Sequence, residues 1–373
     1  MKKLLLALLL LLTSQAAGQA AVRLPDSLAI KIGQMLMIGF RGLDAHTEPT
    51  IEADIRERGI GGVVLFSYDM ASASPVRNIH SPEQLRSLNS ELQKMSTIPL
   101  FIAIDQEGGR VSRLKPANGF PRSVSAMHLG MIDNPDSTRM AAAVTGALLR
   151  QMNINMDIAP DVDLNTNPDN PVIGKLERSF SKDPAVVFRH AALFVDAFHN
   201  SGVIAVLKHF PGHGSSTKDT HKDFTDVTAT WSKEELEPYR NLIRQGYDDP
   251  IMTAHVFNAG LDSLYPATLS KATIGGLLRT ELGFRGVVIS DDMQMKAISE
   301  LYGLEKAIRL AIEAGVDILL FGNNASIYDP EIAEKATKII RTLVDEGSIS
   351  PERIDESYRR IMALKTRTIY PLK

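Results

Sequence analysis

Residues 203–226 read VIAVLKHFPGHGSSTKDTHKDFTD, and the first part of this stretch decides the fold. The apolar run 203–207 shows no alternation of polar and apolar residues, which is typical of a strand covered on both faces in a parallel sheet. Pro211, Gly212 and Gly214 follow it and exclude a helix directly after the strand. The segment beyond is rich in histidine, lysine and aspartate, so we expect a buried strand that ends in a functional loop.

Similar apolar runs recur along the chain, with helical segments between them. The apolar spacing or the lack of breakers predicts helices at 83–95, 137–152, 185–199, 233–244, 271–282, 304–312 and 332–343. The runs that predict strands are 35–40 (MLMIGF), 62–66 (GVVLF), 99–104 (PLFIAI), 156–159 (MDIA), 203–210 (VIAVLKHF), 251–256 (IMTAHV), 286–290 (GVVIS) and 316–321 (VDILLF). Buried strands that alternate with helices in this number predict an α/β fold with a single (β/α)8 TIM-type barrel in residues 21–373. A doubly wound open sheet is the alternative.

A barrel of this type places functional side chains at the carboxyl ends of its strands. Polar residues do follow the predicted strands, whereas the opposite strand ends show no comparable series. The residues at the carboxyl ends are Asp105 after the third run, Asp161 and Asp163 after the fourth, Lys208 and His209 in the fifth, His255 in the sixth, Asp291 after the seventh and Asn323 after the eighth.

Two adjacent carboxylates, Asp291 and Asp292, end the seventh run. Successive side chains of an extended segment point in opposite directions, so one can face the site while the other caps the next helix. A carboxylate here can attack the anomeric carbon of a sugar, as in retaining glycoside hydrolysis. Asp105, with Arg113 close by in sequence, is as consistent with a structural ion pair as with a substrate contact.

The loop after the fifth run contains Asp219 two residues before His221. A carboxylate bonded to one imidazole nitrogen fixes the tautomer and raises the basicity of the other nitrogen, which favours a general acid/base role. A zinc site that uses His209, His213 and His221 is the alternative. The intervening proline and glycine break the helix that an i, i+4 zinc pair needs, and no glutamate lies between the two histidines, so we favour the acid/base role.

The N-terminus has the composition of a secretory signal. Lys2 and Lys3 precede the apolar run 4–12, and small residues surround Ala20 and Ala21. This pattern predicts a signal peptide in residues 1–20, cleaved near Ala20 or Ala21, and a periplasmic or secreted protein. The run is too short to span a bilayer, so we expect no membrane segment after cleavage. The chain has no cysteine, which excludes a disulfide framework and a lipidated cysteine.

The overall charge limits the possible partners. The 41 basic and 44 acidic residues give a net charge of −3 without long runs of one sign. This balance argues against binding to nucleic acid or an anionic membrane and favours a small, neutral ligand. We expect a monomer that needs no metal or organic cofactor.

Several motifs together resemble family 3 glycoside hydrolases of the β-N-acetylglucosaminidase branch, over about 31–361. They are KHFPGHG (208–214) with the downstream Asp219-Thr220-His221, DQEGGRVSR (105–113), ERSF (177–180) and SDDMQM (290–295). The resemblance implies a (β/α)8 barrel and a retaining exo-β-N-acetylglucosaminidase that works by double displacement. It would release terminal β-N-acetylglucosamine from peptidoglycan-derived or other amino-sugar glycans, without a cofactor.

The resemblance also implies roles for particular residues. Asp291 matches the catalytic nucleophile, His221 the acid/base and Asp219 its partner. The residues that match sugar-binding positions are Asp105, Arg113, Arg178, Lys208 and His209. The chain departs from many members in having 214–217 (GSST) where they have Gly-Asp-Thr, and in its predicted signal peptide where well-known relatives are cytoplasmic.

Three other functions remain open at this stage. A neutral histidine acid/base repels phosphate less than a glutamate does, so the chain could be a phosphorylase of β-N-acetylglucosaminides. It could also be a β-glucosidase of the same family, although those enzymes generally lack the histidine loop. A non-catalytic glycan-binding barrel is the alternative from another class, and it would be expected to lose the nucleophile or the Asp219–His221 pair.

Overall fold

Parallel strands alternate with helices along the chain. The structure, a computed structural model, describes residues 27–46, 49–220, 223–325 and 327–369. The predicted signal peptide and His221 therefore lie outside the described residues. The strands are β1 (Leu36–Gly39), β2 (Gly62–Leu65), β3 (Phe101–Ile104), β4 (Gln106–Gly108), β5 (Val111–Ser112), β6 (Met156–Asp157), β7 (Ile204–Ala205), β8 (Leu207–Phe210), β9 (Thr225–Asp226), β10 (Ile251–Thr253), β11 (Val256–Phe257), β12 (Val288–Ile289) and β13 (Leu319–Phe321).

The helices cover the predicted helical segments. The α-helices are α1 (Ser27–Gln34), α2 (Pro49–Arg56), α3 (Pro82–Met95), α4 (Ala126–Ile132), α5 (Pro135–Gln151), α6 (Pro184–Asn200), α7 (Glu237–Arg244), α8 (Lys296–Tyr302), α9 (Leu304–Ala314), α10 (Ile332–Asp345) and α11 (Pro351–Thr368). Short 3-10 turns lie at Pro116–Asn118, Gly174–Leu176, Lys233–Leu236 and Ala267–Leu269. Three of the longer helices begin at a proline that follows a capping side chain: Ser81 before α3, Asn134 before α5 and Asp183 before α6 each accept a hydrogen bond from the first turn.

Two predicted helices differ from the expectation in type. The segment 233–244 is divided into a 3-10 turn and the short helix α7, because Pro238 lies at the start of α7 and has no amide hydrogen to continue the earlier turn. The segment 271–282 is a π-helix, Ala272–Glu281. Gly275 and Gly276 stand in its middle, where glycine weakens the preference for the α-helical conformation.

The strands pair in two main parallel sheets. One has the order β13-β1-β2-β3-β6-β7 and the other the order β12-β10-β8. Two isolated parallel bridges connect them, Asp161 with Lys208 and Ile289 with Ile318. A short antiparallel hairpin, β4 and β5, follows β3, and a parallel pair, β9 and β11, follows β8 and β10. The α/β class predicted from the sequence is confirmed.

The apolar core lies on both faces of these strands. Residues of β1, β2, β3 and β8 are buried along their full length, as expected for strands covered by helices. Helix α11 lies across the amino ends of the strands, where Lys365 donates hydrogen bonds to Gln34 (2.6 Å) and to the carbonyl of Gly61 (2.8 Å). None of the described helices combines the length and the low polarity that a membrane span requires.

Candidate active site

A buried lysine lies at the centre of the site. Lys208, in β8, has a side chain that is 1% exposed, and its Nζ lies 2.8 Å from Asp105 Oδ1 and 2.6 Å from Glu107 Oε1. Asp105 directly follows β3 and Glu107 lies in β4, so neighbouring parts of the sheet edge supply both carboxylates. Burial of a charge is unfavourable unless it is paired, and here each charge has a partner.

Two arginines extend this ion-pair network. Arg178 binds Glu107 with a fork of two hydrogen bonds of 2.8 Å each and donates a third, of 2.9 Å, to the carbonyl of Val172. Arg113 Nη2 lies 3.2 Å from Asp105 Oδ2. The side chains of Asp105 and Arg113 are 19% and 29% exposed, so the network opens to solvent on this side. A polar ligand group at this opening would meet donors and acceptors that are already oriented.

The network fixes the charges of its members. Burial would raise the pKa of Asp105, but Lys208 and Arg113 outweigh burial and hold the pKa well below its usual range. Burial also opposes ionisation of Glu107, and Arg178 with Lys208 nevertheless lowers its pKa. The pKa of Lys208 is raised, since its two carboxylates overcome the effect of burial. These groups therefore remain ionised across the neutral pH range.

His209 joins this network to a second pair of carboxylates. Its Nδ1 lies 2.7 Å from Asp163 Oδ2, and its Nε2 lies 3.1 Å from Arg178 Nη2. Because the guanidinium can only donate, Nε2 is the acceptor and the proton of a neutral ring is on Nδ1. Asp163 accepts further hydrogen bonds from the backbone amides of His209 (3.3 Å) and His213 (2.8 Å), so one carboxylate fixes the ring and the following turn.

In the described part of the chain, one group of side chains could hold a metal ion. The ligand atoms of Asp161, Asp163 and His209 all lie within 4.8 Å of one another. However, Arg178 Nε lies 3.3 Å from Asp161 Oδ2, and His209 Nδ1, the ring nitrogen that faces both aspartates, lies 2.7 Å from Asp163 Oδ2. Asp163 and His209 are therefore paired with each other, and Asp161 is paired with Arg178. The zinc alternative from the sequence also loses His213, because both of its ring nitrogens are hydrogen-bonded within the loop.

In the histidine loop, of which the structure describes residues 211–220 and 223, the ring of His213 makes neutral hydrogen bonds, and Lys218 forms an ion pair with Asp223 at 2.9 Å. His213 lies 2.8 Å from Ser216 Oγ through Nδ1 and 3.2 Å from Thr220 Oγ1 through Nε2. Burial lowers the pKa of His213 to about 4, so the ring is neutral near pH 7. Thr220 stands between Asp219, which is half-buried, and His221. The ring of His213 thus holds the side chain of Thr220, the residue that follows Asp219.

Two further side chains hold the same loop. Asn170 Nδ2 donates to the carbonyls of His213 (2.8 Å) and Gly214 (3.1 Å). Glu235 is 1% exposed, and its Oε2 accepts from the amide of Gly214 at 3.1 Å. Burial raises the pKa of Glu235 to about 8. A Cβ at Gly212 would lie 2.5 to 2.9 Å from atoms of Glu235, so only glycine permits this contact.

The adjacent carboxylates Asp291 and Asp292 have different surroundings. Asp291 Oδ1 accepts the amide hydrogen of Asp292 at 2.8 Å. Asp292 Oδ1 accepts from the amides of Gln294 and Gly322, both at 3.0 Å, and so joins the segment after β12 to that after β13. Helix α8 begins later, at Lys296, so Asp292 binds two loops instead of capping that helix.

Phe66 connects the Asp291 segment with the ion-pair network. A Cβ at Gly322 would lie 2.6 Å from Asp292 Oδ2 and 3.4 Å from Phe66 Cζ, so a side chain at this position would displace one of them. On its other side, the guanidinium of Arg113 lies 5.7 Å from the centre of the Phe66 ring. Phe66, which directly follows β2, therefore lies near both Gly322 and Arg113.

The structure brings together most of the predicted site residues. Asp105, Arg113, Arg178, Lys208 and His209 form one continuous network, with Asp291 at the neighbouring strand ends and Asp219 on the histidine loop. Sequence reasoning missed Glu107, which binds both Lys208 and Arg178. Glu107 lies two residues after Asp105 in the DQEGG stretch. Alternate residues of an extended segment share a face, so this spacing could have predicted that Glu107 lies on the same side as Asp105. Asn170 and Glu235 gave no comparable signal in their own segments.

A comparison with family models and known proteins gives the class. Residues 27–364 match the model of the glycosyl hydrolase family 3 N-terminal domain. The chain belongs to glycosyl hydrolase family 3, and the resemblance predicted from its motifs is confirmed.

Individual relatives are similar over most of this chain. A protein named beta-hexosaminidase A, from Pseudoalteromonas piscicida, is 33% identical over 94% of this chain and 63% of its own length. Beta-hexosaminidase LpqI from Mycobacterium tuberculosis is 32% identical, over 94% of this chain and 85% of its own. The solved family 3 beta-N-acetylglucosaminidase from Paenibacillus sp. FPU-7 is 38% identical with a TM-score of 0.83, and covers 92% of this chain and 62% of its own. The first and third of these relatives thus have about a third of their length outside the match.

Proposed function

We propose that this protein is a retaining exo-β-N-acetylglucosaminidase, which removes terminal β-N-acetylglucosamine from peptidoglycan-derived or other amino-sugar glycans. Membership of family 3 and the names of the similar proteins support the class of substrate. The observation that carries the proposal is the network around Lys208, in which buried ion pairs orient Asp105 and Arg113 beside solvent. Such a polar, preorganised pocket suits a hydroxyl-rich sugar better than an apolar ligand.

We also propose that the parallel strands form one closed (β/α)8 barrel. The order β13-β1-β2-β3-β6-β7 passes into β8, which continues β7 after one residue, and then into β10 and β12. The bridge between Ile289 and Ile318 lies beside β12 and β13 and supports closure of this series. A closed barrel places the ends of all these strands around a single mouth.

In the proposed first step, Asp291 attacks the anomeric carbon and forms a glycosyl ester, while the bond to the leaving oxygen breaks. His221, held by Asp219, gives its proton to that oxygen and becomes neutral. In the second step, His221 takes a proton from water, and the water oxygen attacks the anomeric carbon and releases the carboxylate of Asp291. Two inversions give the β-sugar with retention, and the histidine is protonated again.

The ion-pair network has a different part in this scheme. Lys208 and Asp105 bind ring hydroxyls, and these hydrogen bonds strengthen as positive charge develops on the sugar ring. Arg178 and Glu107 act mainly by holding Lys208 and His209 in position, and their own contacts with the sugar are secondary.

We further propose a periplasmic or extracellular location, based on the predicted signal peptide in residues 1–20. Fractionation of expressing cells tests this proposal, and recovery of the protein in the cytoplasm would contradict it.

The test uses the 4-nitrophenyl glycosides of β-N-acetylglucosamine and β-glucose, with and without inorganic phosphate. We expect release of nitrophenol from the acetylamino sugar alone, independent of phosphate. The initial product, followed by proton NMR, should be the β-anomer. Asp291→Asn should lower kcat by at least about 10⁴-fold, as expected for loss of a covalent nucleophile.

Each other outcome has a distinct meaning. Turnover only with phosphate would identify a phosphorylase, and turnover of the glucoside a β-glucosidase. Formation of the α-anomer would contradict the double displacement. Binding of N-acetylglucosamine without turnover of any substrate would support a glycan-binding protein.

A further inference from the structure

His255 lies between β10 and β11, and the proposed mechanism has not used it. We propose that His255 is a positioning residue that holds the nucleophile Asp291 in its reactive orientation by fixing the backbone of Asp292. This inference rests on the proposed function, in which Asp291 attacks the sugar.

The contacts of His255 place a hydrogen on the ring nitrogen that faces Asp292. The side chain is fully buried, and Nε2 lies 2.9 Å from the carbonyl oxygen of Asp292. A carbonyl can only accept, so Nε2 carries a hydrogen and donates it to Asp292. Nδ1 lies 2.8 Å from Thr268 Oγ1. The threonine thus holds the ring with Nε2 facing Asp292.

Asp292 transmits this constraint to the nucleophile. Its amide donates to Asp291 Oδ1 at 2.8 Å, so the orientation of the Asp291 carboxylate depends on the backbone at Asp292. The side chain of Asp292 is held on the opposite side, by the amides of Gln294 and Gly322. Asp292 is therefore held by hydrogen bonds from two segments: His255, after β10, binds its carbonyl, and the amide of Gly322, after β13, binds its side chain.

The position of Thr268 is itself well determined. Its hydroxyl lies 2.9 Å from Thr253 Oγ1 and 2.8 Å from the carbonyl of Ala254, and its amide donates to the same carbonyl at 3.2 Å. Thr268 and Thr253 are both fully buried. The support behind His255 is therefore rigid, as a positioning role requires.

The test compares His255→Leu with His255→Gln. Leucine fills similar volume without a donor, whereas the amide nitrogen of glutamine can reach the carbonyl of Asp292. We expect His255→Leu to lower kcat on the 4-nitrophenyl β-N-acetylglucosaminide about 100-fold, as for a small displacement of a reacting group. KM and the inhibition constant of N-acetylglucosamine should change less than about threefold. His255→Gln should recover activity to within about tenfold of the wild type.

The matched control is His190→Leu, in α6. His190 is also fully buried, with Nδ1 2.7 Å from Thr138 Oγ1 and Nε2 3.0 Å from Asp133, but none of these residues belongs to the site. We expect this variant to lower Tm and to leave kcat per folded molecule unchanged. If His255→Leu behaved in the same way, the positioning role would be wrong.

Crystal structures of the wild type, His255→Leu and His255→Gln provide a readout that does not depend on turnover. We expect the Asp291 carboxylate to rotate or become disordered in the leucine variant and to keep its place in the glutamine variant. An unchanged Asp291 in His255→Leu would overturn the inference. A wild-type protein without glycosidase activity would instead overturn the proposed function, and the crystal structures would still decide whether His255 holds Asp291.

Discussion

Both ends of the parallel strands bury charged side chains, but the two ends are built differently. At the carboxyl ends, Lys208 and its carboxylates face one another, and Asp105 remains 19% exposed. At the amino ends, helix α11 supplies the partners: Arg353 and Arg360 lie 3.5 and 3.1 Å from Asp317, whose side chain is fully buried. At the carboxyl end the charged groups Asp105 and Arg113 stay partly exposed, whereas at the amino end residues of α11 pair with the fully buried Asp317. Buried charge by itself therefore does not identify an active site.

The expectation that the amino ends of the strands have no comparable polar series was wrong. Asp249 precedes β10 and accepts from His199 and Arg367, both at 2.7 Å. Asp317 precedes β13 and also accepts from Arg279 at 2.7 Å. The ion pairs of Asp249 and Asp317 could not be recognised in the sequence, because each aspartate adjoins an apolar run and its partners are distant in the chain.

Among the variants that compare the two strand ends, Lys208→Met at the carboxyl ends has the largest expected effect. Loss of the ammonium leaves Asp105 and Glu107 without their shared partner and removes a donor to the sugar. We expect kcat/KM to fall about 10³-fold, or about 4 kcal/mol of transition-state stabilisation. The measurement is the hydrolysis of the 4-nitrophenyl β-N-acetylglucosaminide. Lys365→Met, at a buried lysine of the amino ends, is the control and should retain activity to within about threefold; equal losses in both variants would remove the distinction between the two ends.

The next effect concerns stability alone. Asp317→Ala leaves Arg279, Arg353 and Arg360 facing one another without the central carboxylate. We expect the free energy of unfolding to fall by about 3 kcal/mol, as for a broken buried ion pair. Urea unfolding measures this change. The activity per folded molecule should not change, and a loss of kcat without loss of stability would place Asp317 in the catalytic machinery.

The third effect depends on pH. Burial lowers the pKa of Lys365 from 10.5 to about 7. Between these values the unfolded chain binds more protons than the folded chain, so this lysine makes the protein more stable as the pH rises. We expect the wild type to gain about 2 kcal/mol relative to Lys365→Met between pH 7 and pH 9. Urea unfolding of both proteins across this range provides the check, and parallel pH profiles would contradict the lowered pKa.

The smallest effect concerns the histidine loop. Thr220→Val removes the hydroxyl that lies 3.2 Å from His213 Nε2 and keeps the shape of the side chain. The loss of one hydrogen bond, about 1 kcal/mol, should lower kcat by no more than about tenfold and leave KM unchanged. Thr145→Val, at a helical threonine whose hydroxyl binds Ala141, is the control. A change confined to KM would show that Thr220 affects sugar binding instead of the acid/base pair.

Much of the fold could be predicted because parallel strands have a simple pattern. Continuous apolar runs such as 62–66 and 251–256 need no knowledge of their neighbours, and apolar spacing or the lack of breakers indicated the helices between such runs. The bounds of the strands were less predictable. The run 286–290 contains only the short strand Val288–Ile289, because pairing depends on hydrogen bonds to adjacent strands and not on apolarity alone.

The sequence by itself determined the types of residue at the site and the ends of the strands on which they stand. Only the tertiary structure decided their partners. Asp105 is one example, since its carboxylate pairs with Lys208 and Arg113 and is also partly exposed. Glu107 and Glu235 acquired their contacts in the same way. The physical reason is that the favourable energy of a buried charge comes from its partners, and Lys208 and Asp105 at this site are 103 residues apart along the chain.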